Sequence, residues 1–211
     1  MAPSPSTGTR SIAVADLEPR QAYRLMTSVV APRPIGWISS ISAAGEANLA
    51  PFSFFNAVGG PPPVVMVSVS RRSGGAGPKD TVRNVEETRE FVAHVVDRRL
   101  AEQMNATSGE WPHGVDEFER AGLARVASTD VRPFRLVEAV VAMECRLTQV
   151  VPVEGTGYTM LLGQVARFHV REDLLRPNGL ADPSRLDPIA RLGGDEYAAL
   201  GEVFEMGRPR V

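Results

Sequence analysis

Two long alternating segments, separated by a short glycine turn, constrain this chain more than any other feature. Over residues 137–151, Val137, Ala139, Val141, Met143, Cys145 and Leu147 fall on one side, and Glu138, Glu144, Arg146 and Thr148 on the other. Successive strand residues point to opposite faces, so this pattern predicts a half-buried antiparallel strand. Residues 158–170 repeat it, with Tyr158, Met160, Leu162, Phe168 and Val170 facing in. The turn Gly155-Thr156-Gly157 between them predicts one long hairpin.

Shorter strands are expected elsewhere. Ile35, Trp37, Ser39 and Ile41 alternate with their neighbours, and Ala43-Ala44-Gly45-Glu46 forms a turn. Residues 47–58 read as extended, with Pro51 marking an edge or a bulge. Residues 64–70 and 91–96 read as further strands. A helix begins near Pro19, and a second follows Lys79, capped by Asp80 or Thr81. Short helices are expected at 98–104, 115–120 and around Tyr197. Antiparallel strands with a few short helices predict a mainly β fold, a barrel with helical insertions. Residues 1–15 read as a disordered tail and 16–211 as one domain, with a C-terminal extension from about 174.

Composition removes several functional classes. The 211 residues carry a net charge of -2 and a pI near 6.0, which argues against a broad nucleic-acid or anionic-membrane surface. Apolar runs are too short to span a bilayer, and the N-terminus lacks the apolar region of a secretory signal. The single cysteine, Cys145, falls on the apolar face of its strand and reads as core in a protein of the reducing cytoplasm. His94, His113 and His169 have no metal-ligand spacing. His94 reads as structural and His169 as solvated. His113 sits in a loop beside Trp111, where it can line a pocket.

The glycine-rich stretch Gly74-Gly75-Ala76-Gly77-Pro78-Lys79-Asp80 is not a P-loop, because Asp80 stands where that motif needs Ser or Thr. It still combines a strand end, a flexible loop and a helix N-terminus, whose free N–H groups and dipole favour an anion. Arg71 and Lys79 (the only lysine) add charge, and Ser70 and Thr81 add hydroxyls, a set suited to a phosphate monoester. In Leu49-Ala50-Pro51-Phe52-Ser53-Phe54-Phe55-Asn56, alternation turns Phe52 and Phe54 one way and Ser53 and Phe55 the other. Core packing accounts for these rings, and Ser53 and Asn56 can also meet the polar edge of a flat heterocycle.

These residues resemble a family. Arg33-Pro34-Ile35-Gly36-Trp37-Ile38-Ser39-Ser40, then Asn48 to Asn56, then Lys79-Asp80-Thr81-Val82-Arg83-Asn84 occur in the order found in flavin reductase-like, FMN-binding split-barrel proteins. Ala101-Glu102-Gln103-Met104-Asn105-Ala106 and Arg191-Leu192-Gly193-Gly194-Asp195-Glu196-Tyr197 resemble the flavoredoxin and nitrilotriacetate-monooxygenase component B branch. The resemblance implies a Greek-key split β-barrel, a homodimer, and FMN near the dimer interface. It places the phosphate at Ser70, Arg71, Lys79, Asp80 and Thr81. It places the isoalloxazine along Trp37, Ile38, Ser39, Ser40, Ser53, Phe54, Phe55 and Asn56. It implies NADH or NADPH as co-substrate and a partner monooxygenase that takes reduced FMN. The alternatives are an FMN enzyme acting on its own organic substrate through His113, Arg191 and Tyr197, a flavin-binding electron carrier without turnover, and a split barrel without flavin.

Overall fold

The computed structural model describes residues 8–75 and 77–209. The first seven residues of the expected disordered tail lie outside these. The rest of that tail has no regular structure until a 3-10 turn at Val14–Asp16. Helix α1 (Pro19–Val29) follows, with proline in its first turn and a capping box between Glu18 and Gln21. The strands are β1 (Arg33–Pro34), β2 (Gly36–Ile41), β3 (Ala47–Phe52), β4 (Phe55–Gly59) and β5 (Val64–Ser70). After α2 (Asp80–Thr88) come β6 (Glu90–Val95), α3 (Ala101–Ala106), α4 (Glu117–Arg120), β7 (Arg125–Val126) and β8 (Arg135–Leu136). The chain ends with β9 (Val141–Val153), β10 (Tyr158–Val170), α5 (Pro183–Leu186), β11 (Ile189–Arg191) and β12 (Tyr197–Ala199). No described helix is long and apolar enough to cross a membrane.

The expected hairpin is β9–β10, joined at residues 154–157. It lies at the centre of a seven-stranded antiparallel sheet ordered β3-β2-β6-β9-β10-β5-β4. The two edge strands, β3 and β4, are consecutive in the chain and separated only by Ser53 and Phe54. The sheet must therefore curl until its edges meet at that dipeptide. No β3–β4 pairing closes the ladder, so the barrel carries a seam. Pro51 is accommodated because β3 is an edge strand, where a missing N–H breaks no ladder.

The seam changes the expected alternation of phenylalanines. Phe52 and Phe55 both enter the barrel core, and Phe54 is left outside between Tyr23 and Tyr158, at ring separations of 6.4 and 5.6 Å. The break in the strand at Ser53-Phe54 resets the pleat. A second core covers the outer face of β2 and β3 and includes Trp37, Leu49, Met104 and Phe118. All six residues of β2 are consequently buried.

Five expectations need correction. The barrel-facing side of β10 is that of Leu161, Gly163 and Val165, not that of Tyr158, Met160, Leu162 and Phe168, because Leu161 pairs with the core residue Val67 of β5; Phe168 is 54% exposed. The region of Tyr197 is a strand, because it pairs with β11 rather than coiling locally. Helix α2 is capped by the extended backbone of Lys79, not by a side chain of Asp80 or Thr81. Strand β9 begins at Val141, and Val137 is exposed in the turn before it. His169 is not free in solvent. Its Nε2 donates to the fully buried Glu144 carboxylate at 2.6 Å, and the Thr129 and Asp130 N–H groups donate to the same carboxylate at 2.8 and 2.6 Å. Burial alone would raise the Glu144 carboxyl, but these donors hold it below the usual range. Cys145 is core, as expected, and burial pushes its thiol up.

His94 is structural. Its Nδ1 faces the Trp37 carbonyl at 2.8 Å and must donate; its Nε2 accepts from the Leu136 N–H at 3.0 Å. Both partners fix one neutral tautomer, and burial lowers its pKa to about 4. The folded state thus resists the proton that the unfolded chain takes up near 6.5. Stability contributed by neutral His94 is complete above that value and is lost as pH falls from 6.5 towards 4, by about 3 kcal/mol in all. Urea melts across this range should show that slope, and His94→Gln should flatten it.

Candidate functional site

A buried polar cluster lies where β2, β3 and α2 meet. The Asn48 Oδ1 accepts from Ser40 Oγ at 3.1 Å and from Thr81 Oγ1 at 2.9 Å. Its amide nitrogen donates to both Glu117 oxygens at 3.0 Å, and the Leu49 N–H adds a third bond to Glu117 at 3.0 Å. The Asn84 amide donates to Ser40 at 3.2 Å. Burial pushes the Glu117 carboxyl up, opposed by the Leu49 and Asn48 donors. This cluster fixes the first turn of α2 against the edge strand β3.

A cleft opens directly above it, lined by Asn48, Phe52, Lys79, Thr81, Trp111 and Glu117 among others. Two loops form its rim. Arg72 donates to the Trp111 carbonyl at 2.9 Å, and Ser73 donates to Glu110 from both its N–H and its hydroxyl. The glycine-rich loop is therefore clasped to the loop of residues 108–113. The cleft continues past Pro51, Phe52 and Ser108 to a second recess lined by Ile35, Ser53, Met104, Arg191 and Tyr197. The two recesses have volumes of only about 40 and 80 Å³.

One end of the cleft carries a helix start and a lysine. The first N–H groups of α2 have no intrahelical acceptor, and Lys79 stands beside them with its ammonium 5.8 Å from the Phe52 ring centroid. Burial lowers the Lys79 pKa, opposed by Glu110. The Asp80 carboxylate is committed to Arg72 at 2.7 Å, Arg83 at 3.2 Å and His113 at 2.9 Å. It faces these three side chains and leaves its backbone N–H at the helix start.

The sequence-derived residues divide into groups. Lys79, Asp80, Thr81 and Ser53 line the cleft system. Arg191 and Tyr197 come together at its far end, hydrogen-bonded through the tyrosine hydroxyl, with the guanidinium 4.5 Å from the ring centroid. His113 lies just outside, on Asp80. The side chains of Trp37, Ile38, Ser39 and Ser40 are buried, with Trp37 donating to Thr107 at 2.9 Å and Ser39 to the Phe134 carbonyl at 2.5 Å. Phe55 is buried against Gly36, and Asn56 is exposed and bonds its own chain at Ala57. Ser70 and Arg71 end β5 beside Gly157 and do not line the cleft. Cleft residues that were not assigned to the site from the sequence include Arg72, Asn48 and Glu117. Asn48 is a polar side chain at a buried position of a strand, which is the one signal that pointed to it.

A family model for the flavin reductase like domain matches residues 27–189. The chain belongs to the flavin reductase-like family. A protein of Aquifex aeolicus with no assigned function is 44% identical over 183 residues, 85% of this chain and 91% of the relative. Nitrilotriacetate monooxygenase component B from Bacillus cereus superposes with a TM-score of 0.91 at 36% identity, covering 95% of this chain and all of that one. The 2-nitrobenzoate 2-nitroreductase NbaA of Pseudomonas fluorescens superposes at 0.83 with 30% identity, covering 95% and 96%. The fold is the split β-barrel of this family.

Glu117→Leu removes the acceptor for the buried Asn48 amide and the Leu49 N–H beneath the cleft. Unfolding by urea should show a loss of about 2 kcal/mol, from unsatisfied donors rather than from lost volume.

Proposed function

We propose that the protein is an FMN-binding oxidoreductase that uses NADH or NADPH to reduce flavin and supplies the reduced flavin to a partner monooxygenase. The observation that carries this reading is the end of the cleft at the start of α2. There the free N–H groups of the helix and the Lys79 ammonium, which forms no ion pair among the described residues, converge beside Arg72, while the Thr81 hydroxyl is taken by Asn48. A phosphate monoester fits these donors. The flat ring would then extend past Pro51 and Phe52 towards Ser53. The family resemblance adds Ser70 and Arg71, which lie outside this cleft beside Gly157, for the phosphate, and Trp37 to Ser40 and Ser53 to Asn56 for the ring.

Bound flavin supplies a ring system that accepts two electrons from a nicotinamide and passes them on. This chain's own residues bind and position it. Lys79 and the α2 turn hold the phosphate, the Asn48–Glu117 cluster keeps that turn in place, and Phe52 offers an apolar wall. No side-chain acid or base is required for the transfer itself. The likeness to a monooxygenase component B favours a monooxygenase as the recipient.

The shallow cleft also supports a two-copy assembly. Recesses of about 40 and 80 Å³ are far below the roughly 300 Å³ of an enclosing ligand pocket. A second copy would supply the missing wall. A cytoplasmic setting suits the single buried cysteine. A second reading, an FMN enzyme with its own organic substrate, draws on the Arg191–Tyr197 pair at the end of the cleft and on the likeness to a nitroreductase.

Visible spectra of the FMN-loaded protein, taken anaerobically before and after each nicotinamide, test the proposal. Bleaching of the flavin band above the free-flavin rate is expected. A band that persists with both nicotinamides overturns the reductase reading. Lys79→Ala should weaken FMN binding by about 1.5–3 kcal/mol while leaving riboflavin binding nearly unchanged, as read by flavin fluorescence titration. Equal losses would mean that Lys79 does not meet the phosphate.

A further inference from the structure

A recess of about 360 Å³ adjoins the far end of the cleft. It is larger than both cleft recesses together and falls within the roughly 300–1,000 Å³ of small-molecule sites. One wall is helical. Arg98 lines it from the 3-10 turn Arg98–Leu100, and Ala101, Glu102 and Asn105 line it from α3. The other wall is the small sheet, with Ile189 on β11 and Tyr197 on β12. Met104 and Tyr197 line both this recess and the far one of the cleft. Lys79 and the start of α2 take no part in it.

The depth of the recess and its mouth differ in chemistry. Met104 and Ile189 are buried, and Ala101 packs against the same core. Arg98, Glu102 and Asn105 are exposed. Apolar groups thus form the depth and polar groups the mouth. Arg98 and Glu102 have opposite charges and lie four residues apart, a spacing that brings helical side chains together, with about 5–6 Å between Cβ atoms. Among the described residues neither belongs to an ion pair, whereas the next residue, Arg99, is bonded to Asp97 at 2.6 Å. The Asn105 amide also bonds no described residue. An anionic ligand would be drawn by Arg98 but opposed by Glu102, and a cationic one the reverse. A ligand that answers both carries an anion and a cation side by side, together with an apolar body. An α-amino acid holds its carboxylate and its ammonium on one carbon and meets this requirement.

We propose that this recess binds an α-amino acid with a bulky apolar side chain. Its carboxylate pairs with Arg98, its ammonium with Glu102, and the Asn105 amide adds a bond to the head group. The side chain enters the recess against Met104, Ile189 and Tyr197. The inference does not rest on the flavin reading. It puts the ligand against the same tyrosine that ends the cleft, where Arg191 holds the phenol.

Titration calorimetry on the full chain, with no flavin added, tests this with three probes. L-phenylalanine carries both charges, phenylpropionate lacks the ammonium, and phenylethylamine lacks the carboxylate. L-phenylalanine should bind more tightly than either analogue. Arg98→Gln should raise the dissociation constants of L-phenylalanine and phenylpropionate about tenfold and leave phenylethylamine unchanged. Glu102→Gln should do the mirror image, weakening L-phenylalanine and phenylethylamine alone. Asn105→Trp, at an exposed helix position, should block the mouth and abolish binding of all three, with circular dichroism and the melting temperature unchanged. Three results would overturn the site: no heat from L-phenylalanine at millimolar concentration, a loss at Arg98 or Glu102 that is equal for all three probes, or full affinity in Asn105→Trp. A chain that binds L-phenylalanine in this way but not FMN would sink the flavin reading and leave the recess as assigned.

Discussion

Every strand of the barrel takes its register, directly or through neighbours, from the β9–β10 hairpin. Strand β9 carries β6 and, beyond it, β2 and β3, while β10 carries β5 and β4. The last strands on either side share one short connection, Ser53-Phe54, so the hairpin fixes the circumference that the chain must close. Register shifts at Leu162/Gly163 and Val165/Arg167 bend β10 as closure requires. Gly163 is needed at the first of them, because a Cβ there would lie 2.3 Å from the Phe91 ring that fills the barrel. The functional cleft follows from this geometry. It lies against β3, the edge strand that closure leaves unpaired.

The outer face of the hairpin is covered as well, and a carboxylate does the covering. Glu144 stands on the polar side of β9 by sequence, yet it is fully buried, because residues 127–136 fold over it. Its acceptors take two backbone N–H groups of that segment and His169 of the neighbouring strand. A buried carboxylate with three donors can remain charged, whereas one without them would be driven neutral. The same logic operates at Glu117, where the donors come from Asn48 and Leu49. Both acids hold irregular backbone against the sheet, one behind the barrel and one beneath the cleft.

Local pattern accounts for what was legible in the sequence. The period of two in β9, the proline-led start of α1 and the glycine turn depend on neighbours in the chain, and they were readable, whereas the inward face of β10 was assigned to the wrong set of residues. The order of the family's motifs carried the barrel itself. What escaped depends on distant contacts. Tyr197 becomes a strand only because β11 lies beside it, and β11 is held in turn by β1. Glu144 and His169 looked solvated because nothing in their own segments announces the cover. Arg72 rather than Arg71 reaches the cleft because β5 ends at Ser70 and the loop turns there, with the Arg72 N–H bonding the Gly77 carbonyl. Asn48 and Glu117 come from segments 69 residues apart, and no spacing rule joins them.

The charges around the cleft explain why one lysine matters among so many arginines. Asp80 draws Arg72, Arg83 and His113 to itself, and Arg191 is held by Asp195 and Tyr197. Lys79 alone among the cleft's described cations forms no ion pair, and burial already makes its charge harder to keep. An anion arriving at the α2 terminus would restore what burial removes, and its own charge would meet an ammonium that no carboxylate has claimed. Asp80 occupies the arginines and leaves the helix N–H groups and Lys79 without a carboxylate partner.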